Sequence, residues 1–394
     1  MKILLAADTY PPDVNGAAYF TYRLANTLRQ HGHVVGVVVP SRSLKISTTQ
    51  EEGIVRYGIP SIPVLFYPGF RFSPPFFGGK SMQKIVHEFL PDVVHIQGHI
   101  FVGRMAARKA MKLGIPVIGT NHFMPENLVH YLHLPRAGED VIKAMAWKHF
   151  SQLYSDLDVI TAPTATAARL LENVGFQKKV IPVSCGIDLK RFNPKNRNAS
   201  MRKRYGIPSS RPVALCVSRV DKDKNIDVVI HAISRVLKSG TDIHLVVAGI
   251  GAEMANLEKL TRKLGAEKNV TFAGFAAHED LPHLYASSDV FVAAGHAELQ
   301  SIATMEAMAS GLPVVAVNAT ALPELVHDGE NGFLFPLNDS ATLAERIKII
   351  VNDPKLMQRM GRKSLEIIQP HDIQKVVGTF ESLYVGAIAA KNSK

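Results

Sequence analysis

The sequence contains very little cysteine. Only two cysteines occur among 394 residues, Cys185 and Cys216, and they stand far apart in the chain. Two separated thiols provide neither the paired spacing of a zinc knuckle nor the framework of a disulfide-stabilised secreted domain. We therefore expect a reducing environment and a fold that depends on its hydrophobic cores.

Long apolar runs are also missing. No segment approaches the roughly 20 apolar residues that a membrane-spanning helix needs. The N-terminal run MKILLAA continues directly into Asp8, so it is too short for a signal peptide and predicts a first strand in a cytoplasmic protein. A length of 394 residues with 46% hydrophobic and 20% charged residues is typical of a globular protein of two domains.

Acidic residues are scarce in the first half of the chain, which carries most of the net charge of +11. Residues 1–186 hold 19 Lys and Arg against 12 Asp and Glu, residues 187–204 hold seven against one, and residues 205–394 hold 19 against 21. This distribution favours an anionic membrane, an anionic acceptor or nucleic acid as a partner. No nucleic-acid recognition motif accompanies the charge, so we expect no nucleic-acid partner.

The common phosphate-binding fingerprints are absent. Residues 8–18, DTYPPDVNGAA, follow the first predicted strand without the G-x-G-x-x-G of a dinucleotide-binding turn. Gly249-Ile250-Gly251 lacks the third glycine of that motif. Gly79-Lys80-Ser81 is not a phosphate loop, because Pro74 stands where the first glycine is required.

Short apolar strands and helices alternate in two successive series along the chain. Such alternation predicts parallel sheets with helices on their faces. The basic segment 187–204 lies between the two series, and Pro370 interrupts the helical pattern near the end. We predict one domain over residues 1–186, a second over 187–369, and a terminal helical segment over 370–394.

Residues 289–311, DVFVAAGHAELQSIATMEAMASG, form the most informative stretch. They predict a buried strand, a loop that carries Glu298, and a short helix that begins after Ser301 and contains Glu306. The free amides of a helix N-terminus favour an anion, and carboxylates accept paired hydrogen bonds from sugar and ribose hydroxyls. The stretch predicts a ligand-binding turn of an open α/β sheet. An exposed loop glutamate and a solvated helix glutamate are the alternative on this motif alone.

The spacing Glu298-x7-Glu306, followed by AMASGLPVVA, resembles the donor-site signature of the retaining family-4 glycosyltransferases. The resemblance extends over nearly the whole chain through several motifs in order. It implies the α/β fold called GT-B, in which two Rossmann-like domains face each other across a cleft and a C-terminal helix crosses back to the N-terminal domain. The first domain is then the acceptor side, and the second binds a nucleotide sugar.

Four side chains of the second domain carry the predicted donor site. Arg219 and Lys224, on the loop SRVDKDKN, match the diphosphate clamp of the family. The resemblance implies that Glu298 holds sugar hydroxyls and Glu306 holds the ribose. The remaining predicted donor-binding residues are Phe275 on the base side and, through their amides, Ile302, Ala303 and Thr304.

No metal or other cofactor is expected at this site. Asp221 and Asp223 resemble the metal-binding pair of another glycosyltransferase fold, but they lie between two cations, so we interpret them as loop structure. Arg219, Lys224 and a helix N-terminus can neutralise a leaving diphosphate without a metal. His95 and His99 have no third ligand at a useful spacing, and no metal is predicted there either.

Gly16 and His122 are the predicted contributions of the first domain. The family usually has two adjacent glycines where this chain has Asn15-Gly16, and because Asn tolerates a left-handed backbone, we expect the turn to survive. His122 follows a predicted strand and matches a histidine of the family; a structural histidine is the alternative. The resemblance implies that both residues close over the sugar and the phosphate.

Two segments of the first half leave a membrane role open. Residues 66–80, FYPGFRFSPPFFGGK, hold six aromatic residues and two basic ones, and they predict either a loop packed on the domain or a surface that contacts lipid headgroups. A predicted helix over 102–113 carries four cations, which we assign to a solvated face, with a membrane-facing role as the alternative. These cations are Arg104, Arg108, Lys109 and Lys112.

The resemblance implies a retaining glycosyltransferase that moves a hexose from a nucleotide-diphosphate sugar, UDP-sugar before GDP-sugar, to an acceptor hydroxyl. Residues 119–128, GTNHFMPENL, and the basic first half are most similar to bacterial diacylglycerol glucosyltransferases and phosphatidylinositol mannosyltransferases. We therefore expect a membrane glycerolipid as acceptor and peripheral binding to the inner face of an anionic membrane. The alternatives are a soluble acceptor such as a sugar phosphate or inositol phosphate, a GT-B sugar-nucleotide epimerase, and a non-enzymatic binding protein.

Overall fold

The computed structural model describes residues 1–13, 15–64, 70–125, 136–208 and 210–393. The chain forms two compact units, Met1–Gly186 together with Ile373–Lys394, and Ile187–Asp372. Residues 370–372 lie with the second unit rather than with the terminal helix. The reason is that the Ile187 amide donates to the His371 carbonyl at 2.8 Å, and Ile187 pairs with Asp372 as a β-bridge.

A largely parallel sheet forms the core of the first unit. Its strands run in the order β10-β9-β8-β7-β1-β2-β4-β3 among the described residues, and only β3 is antiparallel to its neighbour. A separate antiparallel pair joins β5 and β6. The strands are β1 (Lys2–Ala6), β2 (Val34–Pro40), β3 (Ser47–Glu51), β4 (Ile54–Ile59), β5 (Ile62–Pro63), β6 (Arg71–Phe72), β7 (Val93–Ile96), β8 (Val117–Thr120), β9 (Val159–Ala162) and β10 (Ile181–Pro182).

Helices accompany the strands of the first unit, and one of them begins earlier than the sequence indicates. They are α1 (Gly16–Gln30), α2 (Pro75–Phe89), α3 (Val102–Lys112), α4 (Arg136–Tyr154) and α5 (Ala165–Asn173). The prediction of a loop that extends to residue 80 is wrong, because α2 begins at Pro75, in the first turn, where proline fits a helix and its missing N–H is not needed. Gly78 and Gly79 therefore lie inside a helix, although glycine disfavours one.

The second unit contains a parallel sheet in the order β13-β12-β11-β14-β15-β16. Its strands are β11 (Val213–Val217), β12 (His244–Ala248), β13 (Val270–Gly274), β14 (Val290–Ala293), β15 (Val314–Val317) and β16 (Gly332–Phe335). Its helices are α6 (Ala199–Arg204), α7 (Ile226–Lys238), α8 (Met254–Lys263), α9 (Leu281–Ala286), α10 (Ile302–Ala309), α11 (Ser340–Val351) and α12 (Pro354–Ile367). The strand order reverses between β11 and β14, and such a switch point opens a crevice at the carboxyl ends of the strands.

The last helix, α13 (Ile373–Asn392), belongs to the first unit. Glu381 contacts two histidines at the end of α1, with its Oε1 atom 2.9 Å from His31 Nδ1 and 2.7 Å from His33 Nε2. Further along α13, the Tyr384 hydroxyl lies 2.8 Å from Nδ1 of the buried His95. These polar contacts tie the end of the chain to the first sheet. No helix among the described residues is long and apolar enough to cross a membrane.

Candidate functional site

The switch point of the second unit brings two predicted loops together. β11 and β14 are neighbours, with Ala214 opposite Val290 and Leu215 opposite Phe291. The loop with Arg219 and Lys224 follows β11, and the loop with Glu298 follows β14. Because both loops leave the same edge of the sheet, residues more than 70 positions apart in sequence meet in one site.

Lys224 and Glu298 form an ion pair between these two loops. Lys224 Nζ lies 2.8 Å from Glu298 Oε1 and 3.1 Å from Asp223 Oδ2. The two partners are largely buried, with 13% of the Lys224 side chain and 22% of the Glu298 side chain exposed. Burial lowers the pKa of Lys224, but the negative charges of Glu298 and Asp223 outweigh it and hold that pKa above its ordinary value. Lys224 is therefore a permanent cation at the edge of the sheet.

Arg219 joins the same cluster through the two aspartates. It makes a short ion pair with Asp221, and its guanidinium nitrogen lies 3.5 Å from Asp223 Oδ2. Asp223 thus contacts both predicted phosphate-binding cations, and Asp221 also accepts a hydrogen bond from the Ala252 amide at 3.2 Å. In this arrangement Asp221 and Asp223 hold the loop and its cations. Among the described residues no group of three His, Cys, Asp or Glu side chains could hold a metal ion.

The glycines at 249 and 251 serve the packing of this loop. A Cβ on Gly249 would lie 1.8 Å from the Ser218 carbonyl oxygen, and a Cβ on Gly251 would lie 2.2 Å from that of Val220. The turn after β12 therefore approaches the backbone after β11 more closely than any other residue permits. This close approach explains the Gly-Ile-Gly sequence without a dinucleotide.

Glu306 lies within helix α10, which holds it on a rigid element. Ser301 caps the helix, and its Oγ accepts a hydrogen bond from the Thr304 amide at 3.3 Å. The Tyr285 hydroxyl donates to Glu306 Oε2 at 2.9 Å. Tyr285 is fully buried, and burial followed by the charge of Glu306 raises the pKa of Tyr285 well above its usual range, so it stays a donor.

The helix-terminal amides differ in their partners. The Thr304 amide is engaged by the Ser301 cap, whereas Ile302 and Ala303 occupy the first two helical positions, where an amide has no intrahelical acceptor. The helix therefore offers the amides of Ile302 and Ala303 to an anion more directly than that of Thr304.

Phe275 has an apolar neighbour on the adjacent strand end. Phe275 follows β13 and is 53% exposed, and Ile250 follows β12 and is 58% exposed. The two strand ends are joined by a 2.7 Å hydrogen bond from the Gly249 amide to the Gly274 carbonyl. The family resemblance indicates Phe275 but not Ile250. A single exposed apolar residue after a strand is not a pattern from which the sequence alone predicts a binding surface.

Asn15 and Gly16 take a different conformation from the one expected in the first unit. The expected left-handed turn at Asn15 is wrong: its backbone is extended, with φ at −155°, and it caps α1. Asn15 Oδ1 accepts a hydrogen bond from the Ala18 amide at 2.9 Å and another from Thr9 Oγ1 at 3.2 Å. Gly16 is the first residue of the helix. Asn fits this position because it is among the best N-caps.

His122 follows β8 and is held by two neighbours. Its Nε2 atom donates to Gln97 Oε1 at 3.0 Å, and its ring lies 5.1 Å from that of the buried Phe20. Burial lowers the pKa of His122 to about 4, so the ring is neutral near pH 7. A neutral imidazole with one nitrogen engaged suits a hydrogen bond to a hydroxyl through the other.

His95 and His99 are structural. His95 lies 2.7 Å from Thr120 Oγ1 and contacts α13, while His99 lies in an aromatic cluster with ring centroids 4.6 Å from Phe123 and 5.2 Å from Phe150. Burial lowers the pKa of both histidines to about 3.

Two of the basic residues of segment 187–204 are paired with carboxylates. Arg202 pairs with Asp289 at 2.8 Å, and Arg204 pairs with Asp280 at the same distance. In α3, the expected solvated or membrane-facing role of Arg104 is wrong, because Arg104 is buried and its Nε donates to the His99 carbonyl at 3.0 Å. Arg108 and Lys112 of the same helix are exposed.

The aromatic segment divides into half-buried and exposed parts. Phe72 packs edge-on against Phe101 with ring centroids 4.8 Å apart, and Phe70 lies 6.0 Å from the same ring. Phe76, in the first turn of α2, is 90% exposed. The predicted contributions of Phe66 and Tyr67 lie outside the described residues, as do residues 126–128 of the segment 119–128.

Comparisons with known proteins match both halves of the chain. The family model described as Glycosyltransferase Family 4 matches residues 14–191, and the one described as Glycosyl transferases group 1 matches residues 198–366. The alpha-monoglucosyldiacylglycerol synthase of Streptococcus pneumoniae is 29% identical over 100% of this chain and 87% of its own length. A GDP-mannose-dependent alpha-mannosyltransferase of Corynebacterium glutamicum is 25% identical over 90% of this chain and 82% of its own.

The fold also matches solved structures. Sucrose-phosphate synthase from Thermosynechococcus elongatus superimposes with a TM-score of 0.79 at 20% identity, covering 99% of this chain and 100% of that structure. At this identity the likeness concerns the fold, and it confirms two Rossmann-like α/β domains of the GT-B type.

Proposed function

This chain belongs to glycosyltransferase family 4, and we propose that it transfers a hexose from a nucleotide-diphosphate sugar to a lipid hydroxyl with retention of anomeric configuration. One observation carries the proposal. The switch point of the second unit joins Lys224, Glu298 and, through Asp223, Arg219 in a single charged cluster. Cations for a diphosphate and a carboxylate for sugar hydroxyls thus occupy the place where open α/β sheets bind nucleotides.

Arg219 and Lys224 bind the donor diphosphate in exchange for part of their pairing with Asp221 and Asp223, while Lys224 keeps its contact with Glu298. Arg219 and Lys224 are paired with carboxylates in the structure, and a bound diphosphate replaces part of that charge with its own. The first amides of α10, from Ile302 and Ala303, add the positive end of a helix dipole. These fixed charges stabilise the negative charge that grows on the leaving phosphate.

The two glutamates recognise the two sugars of the donor. Glu298, held by Lys224, accepts hydrogen bonds from the hydroxyls of the transferred hexose. Glu306, held by Tyr285, accepts hydrogen bonds from the ribose. Phe275 and Ile250 give the base an apolar surface at the ends of β13 and β12.

The reaction proceeds on one face of the sugar. The bond between the anomeric carbon and the phosphate oxygen breaks as the acceptor oxygen bonds to the same face, and the acceptor proton passes to the leaving phosphate. Glu298 stays bound to Lys224 and serves as a hydrogen-bond acceptor rather than a covalent nucleophile. The names of the two relatives given above refer to alpha-linked sugar products or to alpha transfer. An alpha-linked product formed from an alpha-linked sugar nucleotide retains the anomeric configuration of the donor.

The names of the relatives suggest the donor and the acceptor. We propose UDP-glucose and diacylglycerol, in accord with the name of the pneumococcal synthase, with GDP-mannose as the second donor because of the mannosyltransferase relative. The exposed Phe76 and the exposed cations Arg108 and Lys112 give the first unit apolar and basic groups for an anionic membrane.

One experiment tests this function against its rivals. Radiolabelled UDP-glucose and GDP-mannose are each incubated with the protein, with and without anionic vesicles that contain diacylglycerol, and the products are separated. Label in the lipid supports the proposal. Label in a sugar phosphate or inositol phosphate that is added instead indicates a soluble acceptor, an epimerised sugar nucleotide indicates an epimerase, and unchanged donor indicates a binding protein.

Vesicle sedimentation tests the membrane part separately. Binding to anionic vesicles at low salt should weaken with added salt and in the Phe76→Ser variant. Ile349→Ser, an exposed apolar residue of α11 in the second unit, is the matched control and should bind as the wild type does. If the protein stays in the supernatant with anionic vesicles at low salt, the proposed lipid acceptor is contradicted and a soluble acceptor is favoured.

A further inference from the structure

Thr320 has an unusual backbone conformation in the loop after β15. Its φ is +46°, in the left-handed region. Left-handed backbone is rare for residues other than glycine, and a β-branched residue there is an outlier that needs a reason. Strained residues of this kind persist where the surrounding structure holds them, and they cluster at functional sites.

The Thr320 hydroxyl bridges two backbone groups of the loop that carries Glu298. It accepts a hydrogen bond from the Glu298 amide at 3.3 Å and donates to the His296 carbonyl at 3.1 Å. The next residue, Ala321, donates its amide to the Glu298 carbonyl at 3.3 Å. The backbone of Glu298 is therefore attached on both its N–H and C=O sides to the loop at Thr320.

A second left-handed residue, on the loop that carries Arg219 and Lys224, also contacts the loop after β14. Asn225, next to Lys224, has a φ of +49°. The side-chain Nδ2 of Asn225 donates to the Ala294 carbonyl at 3.1 Å and lies 3.1 Å from His296 Nδ1. The loop after β14 is thus held between two strained residues, one on each neighbouring loop.

We propose that Thr320 is a positioning residue, which fixes the position and orientation of Glu298 relative to the sugar of the donor. This inference rests on the proposed role of Glu298 in holding that sugar. Glycine would adopt the backbone of Thr320 without strain, so stability alone favours glycine at this position. The hydroxyl is what threonine adds, and both of its hydrogen bonds go to the Glu298 loop.

Three substitutions separate the hydroxyl from the strain. Thr320→Ser keeps the hydroxyl, Thr320→Ala removes it but keeps a Cβ in the left-handed region, and Thr320→Gly removes both. Asn338→Gly is the matched control, because Asn338 is also left-handed, with φ at +63°, on an exposed loop before α11. For each variant we would measure the thermal midpoint, the affinity for free UDP or GDP, and kcat/KM with the best wild-type donor among UDP-glucose, UDP-galactose and GDP-mannose.

We expect Thr320→Gly to keep or raise the thermal midpoint and yet lower kcat/KM on the order of 10- to 100-fold, because a small displacement of a positioned group is enough to slow transfer. Thr320→Ala should lose a similar amount of activity, whereas Thr320→Ser should retain most of it. The affinity for free nucleotide should not change in any of them. Asn338→Gly should change the thermal midpoint only.

Two results would overturn the proposal. Wild-type transfer in Thr320→Gly and Thr320→Ala would show that the hydroxyl does not position Glu298, and so would an equal loss in Thr320→Ser. Glu298→Gln, measured alongside, tells this failure apart from that of the proposed function. If Glu298→Gln transfers sugar as the wild type does, the role of Glu298 itself is wrong; if only Glu298→Gln is impaired, the positioning role alone falls.

Discussion

Lys224 Nζ lies 2.8 Å from Glu298 Oε1, and this ion pair joins the loops after two neighbouring strands, β11 and β14. A cation for the diphosphate and a carboxylate for the sugar therefore touch each other directly. Each fixes the side chain of the other, which reduces the reorganisation needed when a donor binds. The contact also means that removing Lys224 leaves the largely buried Glu298 without this cation, whereas removing Glu298 leaves Lys224 paired with Asp223.

Arg219→Ala and Lys224→Ala should each lower turnover by on the order of 10²-fold or more, because each removes a fixed positive charge from the leaving phosphate. Lys224→Ala should also lower the thermal midpoint, since it leaves the largely buried Glu298 and Asp223 without their shared cation.

Lys222→Ala is the matched control for this pair. Lys222 lies on the same loop but is exposed, so its removal should leave both turnover and stability unchanged. Wild-type turnover in Arg219→Ala or Lys224→Ala would mean that the diphosphate binds elsewhere.

Glu306→Ala should weaken the binding of free UDP or GDP, whereas Glu298→Ala should chiefly impair transfer. Tyr285→Phe removes the hydroxyl that holds Glu306 Oε2, so it should weaken the same nucleotide binding to a smaller extent. The effect should disappear for a nucleotide that lacks the ribose hydroxyls, because only those hydroxyls contact Glu306 in the proposed site.

Tyr205→Phe controls for the loss of a tyrosine hydroxyl in the second unit, since Tyr205 donates to Asp280 at 3.1 Å instead. Calorimetric titration measures all of these affinities. Equal binding of nucleotide by the wild type and Glu306→Ala would contradict the ribose assignment.

Activity should persist in excess EDTA, because two cations and a helix N-terminus neutralise the leaving diphosphate. The assay is sugar transfer before and after chelation, followed by addition of Mg²⁺ or Mn²⁺. Activity that disappears with EDTA and returns with either metal would instead make Asp221 and Asp223 the first candidates for its ligands.

The first unit should lose stability as the pH falls from about 6.5 towards 4. Burial lowers the pKa of His95 and His99 to about 3 and that of His122 to about 4, whereas an unfolded histidine titrates near 6.5. Between these values the unfolded chain binds more protons, so each histidine removes up to about 1.4 kcal/mol of stability per pH unit of acidification. Above pH 6.5 the contribution is fully present.

Urea unfolding followed by the fluorescence of Trp147, the single tryptophan, reports on the first unit. His99→Phe should remove the contribution of one histidine from the slope of the unfolding free energy against pH. The reason is that phenylalanine fits the aromatic cluster and binds no proton. An unfolding midpoint that is the same at pH 7 and pH 5 would contradict the prediction.

The order of the elements and the donor loops were predictable from the sequence. The apolar run before Glu298, the Ser301 cap and the alternation of strands with helices are local signals, and the structure confirms the strand, the cap and the helix. The convergence of Arg219 and Glu298 on one edge follows from parallel strands at a switch point, a property of the fold class.

Other features depend on contacts between distant segments and leave no local signal. Tyr285 contacts Glu306 only because α9 packs beside α10, and the buried position of Arg104 depends on the His99 carbonyl. Asn15 has two local preferences, a left-handed turn and a helix cap, and in the structure it adopts the cap. Thr320 lies in a conformation that its residue type disfavours, so no propensity predicts it.

The stereochemistry of transfer tests the central claim most directly. Proton NMR can follow the anomeric signal of the sugar while the protein acts on UDP-glucose, or on GDP-mannose, with vesicles that contain diacylglycerol. The account predicts an alpha-linked glycolipid from the first turnover, formed more slowly by on the order of 10²-fold or more in the Lys224→Ala variant. A beta-linked product, or a sugar nucleotide that epimerises without forming any glycolipid, would contradict it.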